Sequence, residues 1–409
     1  MPLADPSLAD SPPRECDLVV VGAGIVGLAV ARELSLRRAG KSICVLEAEP
    51  GLGAQQTGHS SGVVHAGVYY RPGSLRATLC VAGARELYAY CEERGISFER
   101  SGKLIVATEE EELPRLDELE RRGLANGVPG LRRLDAEEIR ELEPHAGGIA
   151  ALHSPATGVL DFGDVARSYA ADAATAGAAI VSGCPVRGLR AGAGGVDVAH
   201  ARGTTRARFA IVCAGLQSDR LAVAAGAPAD PRIVPFRGGY LRLRPERRDL
   251  VRASIYSVPD PELPFLGAHL TRGLDGEVLL GPSALMVAAR DAYRIARVDR
   301  RDLAATLGWP GTWRLVRRHW RHGLAEVARA ASQRAFVAAL ERYVPELSVA
   351  DVVRGPVGVR AQALGRDGAL IDDFVISRTE HALHVRNAPS PAATSSLALA
   401  RHIADLAEE

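Results

Sequence analysis

Three glycines in one short stretch constrain this chain more than any other feature. The segment V-V-V-G-A-G-I-V-G-L-A-V (19–30) runs β-branched residues straight into Gly22, Gly24 and Gly27, and a second apolar run, I-C-V-L, ends on Glu47. The pattern predicts strand, tight turn, helix and second strand. Gly22 permits the turn, Gly24 lets a pyrophosphate approach the backbone, and Gly27 lets the helix lie close to the strand. The first helical turn, with Ile25 and Val26, offers free N–H groups and a partial positive charge to phosphates. Glu47, followed by Ala48, lies twenty residues past Gly27, where a carboxylate accepts ribose hydroxyls. A glycine-rich turn in an ordinary βαβ unit is the plainer alternative. Strand, helix, second strand and acid in register favour a dinucleotide site.

The 409 residues suffice for two or three domains and a large core. A formal net charge of +1 gives no basis for bulk nucleic-acid binding. The six cysteines (Cys16, Cys44, Cys80, Cys91, Cys184, Cys213) show no CxxC or zinc-type spacing, so reduced thiols are expected, with no metal. Residues 1–15 are polar and rich in proline and acid, without an apolar signal segment, and are expected to be a disordered tail. No window approaches the run of about 20 apolar residues that spans a bilayer. The expectation is a cytoplasmic protein, at most peripheral on the inner membrane.

Apolar runs and small-residue turns recur in the middle and at the end of the chain. F-A-I-V-C-A-G (209–215) closes on Ala214 and Gly215, Val186 lies in another strand-like run, and P-S-P-A-A-T-S-S precedes a last helix. The free N–H groups near Ser390, Pro391, Ala392, Ala393 and Thr394 suit a polar part of a cofactor. The expected organisation is α/β with two interleaved domains. Residues 16–95, 150–228 and 352–409 form the cofactor domain. Residues 96–149 and 229–351 form a sheet-rich substrate domain with a basic helical segment around 284–345.

The glycine fingerprint alone does not separate NAD from FAD. The loop H-S-S-G-V-V-H-A-G-V-Y-Y (59–70), with R-P-G-S-L-R-A-T-L-C after it, resembles the FAD-dependent L-2-hydroxyglutarate oxidase/dehydrogenase family, among the glycine-oxidase and D-amino-acid-oxidase-type flavoproteins. The resemblance continues through I-V-C-A-G-L-Q-S-D-R-L-A (211–222), V-P-F-R-G-G-Y (234–240), H-L-T-R-G-L-D-G-E-V-L-L-G-P (269–282), G-V-R-A-Q (358–362) and H-V-R-N-A-P-S-P-A-A-T-S-S-L (384–397). It implies a D-amino-acid-oxidase-like fold, a Rossmann-like FAD-binding domain interleaved with the substrate domain, with FAD also touched by Thr57, Ser60, Ser61, Gly62 and Arg360. The chain departs from the family pattern at Ser60 (for H-N-S-G), Gly239 and Leu241 (for R-G-E-Y-Y) and Ser283 (for G-P-N-A). These departures leave the exact hydroxy acid open.

The resemblance implies oxidation of an L-2-hydroxy acid, first of all L-2-hydroxyglutarate to 2-oxoglutarate, with a base taking the hydroxyl proton as hydride passes to the flavin. Histidine suits the base, since its ordinary pKa of about 6.5 leaves much of it neutral. His65 is the first choice, His59 the second and His269 the third, each with a structural hydrogen-bonding role as the alternative. Arg237 and Arg360 are the candidates for holding carboxylates, and Tyr240 for donating a hydrogen bond. An amine, amino acid or specialised hydroxy-acid substrate is the competing enzyme reading, and a non-catalytic flavin-binding protein the third.

The stretch W-P-G-T-W-R-L-V-R-R-H-W-R (309–321) holds all three tryptophans among arginines. Such a helix suits an anionic membrane interface; the resemblance fits this, since it implies electron transfer to a membrane quinone pool. A packed helix with a basic solvent face is the competing expectation.

Overall fold

The computed structural model describes residues 6–38, 40–261, 265 and 267–408. The apolar runs of the opening motif become the strands Glu15–Val21 and Ile43–Leu46, joined by the helix Ile25–Arg37. Gly27 costs this helix about 1 kcal/mol of propensity. Full burial of Leu28, Val30 and Leu34 outweighs that at about 1.5–3 kcal/mol each. Packing, not propensity, therefore fixes the helix. The parallel strands run in the order Ala179–Val181, Ile43–Leu46, Glu15–Val21, Gly203–Val212 and Ala382–Asn387. Four helices, Ile25–Arg37, Leu75–Arg94, Phe162–Thr175 and Ser396–Glu408, share one apolar core on this sheet. The expected helix ends are present at Leu75–Arg94. The Ser74 side chain accepts from the Ala77 N–H, and Gly95 closes it in the left-handed conformation.

A second, nine-stranded sheet is mainly antiparallel and carries its own core. Its longest pairing is Arg232–Leu243 against Val352–Leu364, antiparallel over nearly their whole length. Two expected boundaries move as a result. Val352–Leu364 and Ala150–His153 pair within this second sheet, not the first. Each is a strand whose partner is remote in sequence, so its sheet could not be read from local pattern. The six cysteines are free, as expected.

The tail also differs from expectation over its described part. Ala9 N–H donates to the Ile180 carbonyl (2.8 Å), Arg206 N–H to the Arg14 carbonyl (2.9 Å) and the Thr205 hydroxyl to the Pro13 carbonyl (2.7 Å). Its backbone groups are satisfied by the first sheet, and this orders a polar segment that composition marks as loose. Residues 1–5 lie outside the described residues.

Candidate active site

The turn at the first helix shows why glycine is required. Gly22 has φ +101°, and a methyl group there would overlap the Cys213 carbonyl oxygen; one on Gly27 would overlap the Gly22 carbonyl oxygen. Gly24 faces open space except for the Thr57 hydroxyl, which accepts from Ile25 N–H at 3.0 Å. The Glu47 carboxylate accepts from Ala23 N–H (2.5 Å) and Glu49 N–H (2.8 Å), which aims it along the glycine turn. Burial raises its pKa, and these backbone donors offset part of the rise.

A cavity of about 1790 Å³ runs from this turn between the two sheets. That exceeds an ordinary small-molecule pocket of about 300–1,000 Å³ and leaves room for a dinucleotide with a substrate. Nearly all the expected cofactor residues line it: Gly22, Gly24, Ile25, Val26, Gly27, Glu47, Ala48, Thr57, Ser60, Ser61, Val186, Ala214, Gly215, Arg360, Ser390, Pro391, Ala392, Ala393 and Thr394. Gly62 does not. Its φ of +73° and close approach to the Leu160 carbonyl shape the loop instead.

At the far end the cavity is walled by His65, Tyr69, Tyr240, Tyr256, His269 and Arg360. His269 lies on the strand His269–Arg272, with its ring stacked on Tyr256 at 4.0 Å. Its Nδ1 is 3.0 Å from the Gly267 carbonyl, so Nδ1–H donates there and Nε2, which has no hydrogen bond among the described residues, keeps a lone pair on the cavity wall. Burial first, then Arg360 and Lys103, lowers its pKa to about 3. His65 is held differently. Its Nε2 lies 3.1 Å from the Ser390 hydroxyl, its backbone N–H donates to the Thr394 hydroxyl, and its Nδ1 is buried without a hydrogen-bond partner among the described residues. Its pKa is also pushed down, chiefly by burial. His59 lines the cavity nearer its mouth and packs 4.3 Å from the Tyr293 ring.

Arg360 hydrogen-bonds Tyr240 and lies 5.9 Å from the Phe265 ring centroid. Arg237 is not part of the wall; its Nε donates to the Tyr293 carbonyl at 3.4 Å. Alternation along Arg232–Leu243 gives Gly238 and Tyr240 to the cavity and turns Arg237 away. Three of the four departures from the family pattern, Gly239, Leu241 and Ser283, also lie off the cavity wall; Gly239 N–H donates to the Ser283 hydroxyl at 3.1 Å. Sequence reasoning missed Tyr69, Tyr256 and Lys103. One signal was available for the last. The chain has only two lysines, Lys41 and Lys103, against 48 arginines.

The glycine cradle, the Glu47 carboxylate at its edge and the cavity fit a flavin dinucleotide, so the fold and site define a flavoprotein of the D-amino-acid-oxidase class. The match to the FAD dependent oxidoreductase (DAO) family spans residues 17–406, and the cofactor is FAD. Within that class the chain belongs to the L-2-hydroxyglutarate dehydrogenase family. The human mitochondrial L-2-hydroxyglutarate dehydrogenase is 45% identical over 95% of this chain and 88% of its own length. That of Indibacter alkaliphilus is 41% identical over 93% and 96%. Among solved structures, the fold is similar to L-alpha-glycerophosphate oxidase from Mycoplasma pneumoniae with FAD bound. The TM-score is 0.78, with 22% identity covering 97% and 96% of the two chains. Glycine oxidase from Geobacillus kaustophilus superposes with a TM-score of 0.72, at 18% identity over 97% of this chain and 95% of its own.

Proposed function

We propose that this protein oxidises L-2-hydroxyglutarate to 2-oxoglutarate, with His269 as the base. One observation carries the base assignment: an imidazole fixed through Nδ1, its Nε2 without a hydrogen bond among the described residues, on the same wall as Arg360. FAD supplies the hydride acceptor when bound. Arg360 offers its guanidinium fork to the carboxylate beside the reacting carbon, and Tyr240, bonded to it, fixes its orientation. His269 Nε2 takes the hydroxyl proton. The negative charge of the bound substrate raises its basicity, which burial first of all holds down. His65, tied to Ser390 and Thr394, braces the loop against the site. The position of Gly239, Leu241 and Ser283 off the wall supports a substrate unchanged from the family's.

Anaerobic bleaching of the flavin tests this with a panel of hydroxy and amino acids. L-2-hydroxyglutarate should bleach it fastest. A faster amino acid, or another hydroxy acid, would replace the reading. His269→Gln should lower kcat by about 10²–10⁴-fold, the usual contribution of a general base.

We also propose that the helix Pro310–Ala331 docks on an anionic membrane surface. Among the described residues no helix is long and apolar enough to cross a membrane. Trp309 is buried, its indole N–H donating to the Leu364 carbonyl at 3.0 Å, so it takes no part in docking. Trp313 and Trp320 are 58% and 52% exposed. With Val316, Leu324 and Val327 they form an outward apolar stripe beside exposed Arg317, Arg318 and Arg321. A groove of about 710 Å³ on this helix shares Pro261 and Leu370 with the large cavity, which supports a membrane-held quinone as electron acceptor. Vesicles of phosphatidylcholine and phosphatidylglycerol should co-sediment with the protein. Replacing both exposed tryptophans and the three arginines should abolish this; unchanged sedimentation would dismiss the idea.

A further inference from the structure

Lys103 opens the strand Lys103–Ala107 and is 1% exposed. Its Nζ lies 4.5 Å from the Tyr69 ring centroid and 4.7 Å from that of Tyr256. Both rings line the cavity, so the ammonium sits one ring behind its wall. Among the described residues it forms no ion pair with a carboxylate. The titratable groups facing it are Tyr69, Tyr256, His65, His269 and Cys80. Burial raises both phenols above their ordinary value and the Cys80 thiol to about 12, while both imidazoles are pushed down. None of the five is an anion at neutral pH. A buried cation with no anion in the protein is costly to keep, and two aromatic faces repay only part of it.

We propose that Lys103 is a positioning residue that makes the cavity selective for a dianionic substrate, its ammonium acting through the tyrosine pair as countercharge to the second carboxylate. The inference rests on the proposed 2-hydroxy dicarboxylate substrate. Arg360 on the wall serves one carboxylate; Lys103 behind the wall serves the other by field, without contact. Lysine suits this place where arginine does not. Desolvation lowers its pKa to about 7, so near neutrality and above the empty site holds it partly deprotonated, and it takes a proton from solvent when the dianion enters.

The experiment compares wild type with Lys103→Met, FAD-loaded, binding glutarate and butyrate, with the flavin spectrum as readout. Glutarate affinity should fall by about 10- to 30-fold, the size of a unit-charge interaction at an effective dielectric of about 20. Butyrate affinity should change far less, and the loss in turnover of the hydroxy acid should fall mainly on KM. The variant should also melt higher than wild type at pH 7, and that gain should shrink as pH rises toward about 10.4, above which the wild-type lysine is neutral in both states. Equal losses for the two acids, or a lower melting temperature with no dianion-specific loss, would make Lys103 a mere packing element between the rings. A pH-indicator measurement on wild type alone covers a variant that does not fold. Glutarate binding between pH 7 and 9 should draw a proton from solvent, and its absence would overturn the proposal. Failure of L-2-hydroxyglutarate to bleach the flavin would remove the substrate reading yet leave the glutarate–butyrate contrast readable.

Discussion

A single methyl group at Gly27 has nowhere to go, because the Gly22 carbonyl occupies its place. Gly27→Ala should therefore yield colourless protein or none, judged by the visible absorbance of the purified chain. His269 makes a subtler prediction. In the fold its pKa is about 3, and the unfolded chain takes up that proton near pH 6.5. Its contribution to stability is present above about pH 6.5 and drains away as pH falls toward about 3. His269→Gln should flatten that part of the pH–stability curve, followed by denaturant titration at each pH. Gly22, Gly27 and Glu47 were legible in the sequence because their roles depend on spacing along one βαβ unit. The part His269 plays was not. It depends on the Gly267 carbonyl and on Arg360, which pairing across the second sheet brings close.

The short helix Ser218–Ala224 is fastened by one buried pair. The Asp219 carboxylate accepts from Arg290 (2.5 and 3.0 Å) and from Ile233 N–H (3.0 Å), and the two side chains are 1% and 4% exposed. Arg290 also donates to the Leu216 and Ile233 carbonyls. Asp219→Ala leaves this guanidinium buried and unpaired, and should cost about 3–5 kcal/mol in a denaturant melt. Sequence reasoning found the strands on both sides of this clasp, but Arg290 is one of 48 arginines and nothing local distinguishes it. The basic helical segment was legible, and its split into the buried Trp309 and the exposed Trp313 and Trp320 was not, because that depends on which face meets Leu364.

Residues lining the cavity come from both ends and the middle of the chain, and its wall is shared by both sheets. A dinucleotide in this cavity would touch elements that local pairing does not join. Binding to the native state alone adds stability, about 2.7 kcal/mol at a hundredfold excess over Kd. Stripping the flavin should lower the melting temperature, and adding FAD should restore it in a concentration-dependent way; FMN, lacking the adenylate that the glycine turn receives, should restore far less. The recurring small-residue turns predict an interleaved chain, and strands from its start, middle and end pair in the first sheet. The assignment of Ala150–His153 and Val352–Leu364 to the second sheet was not legible, since strand register is decided by distant partners.

The backbone stitches from Ala9, Pro13 and Arg14 to Ile180, Thr205 and Arg206 bear on anyone who trims this gene for expression. A clone begun at Cys16, the tidy choice when the preceding residues look dispensable, would strip a brace from the sheet that holds the nucleotide, and poor yields would follow from the scissors.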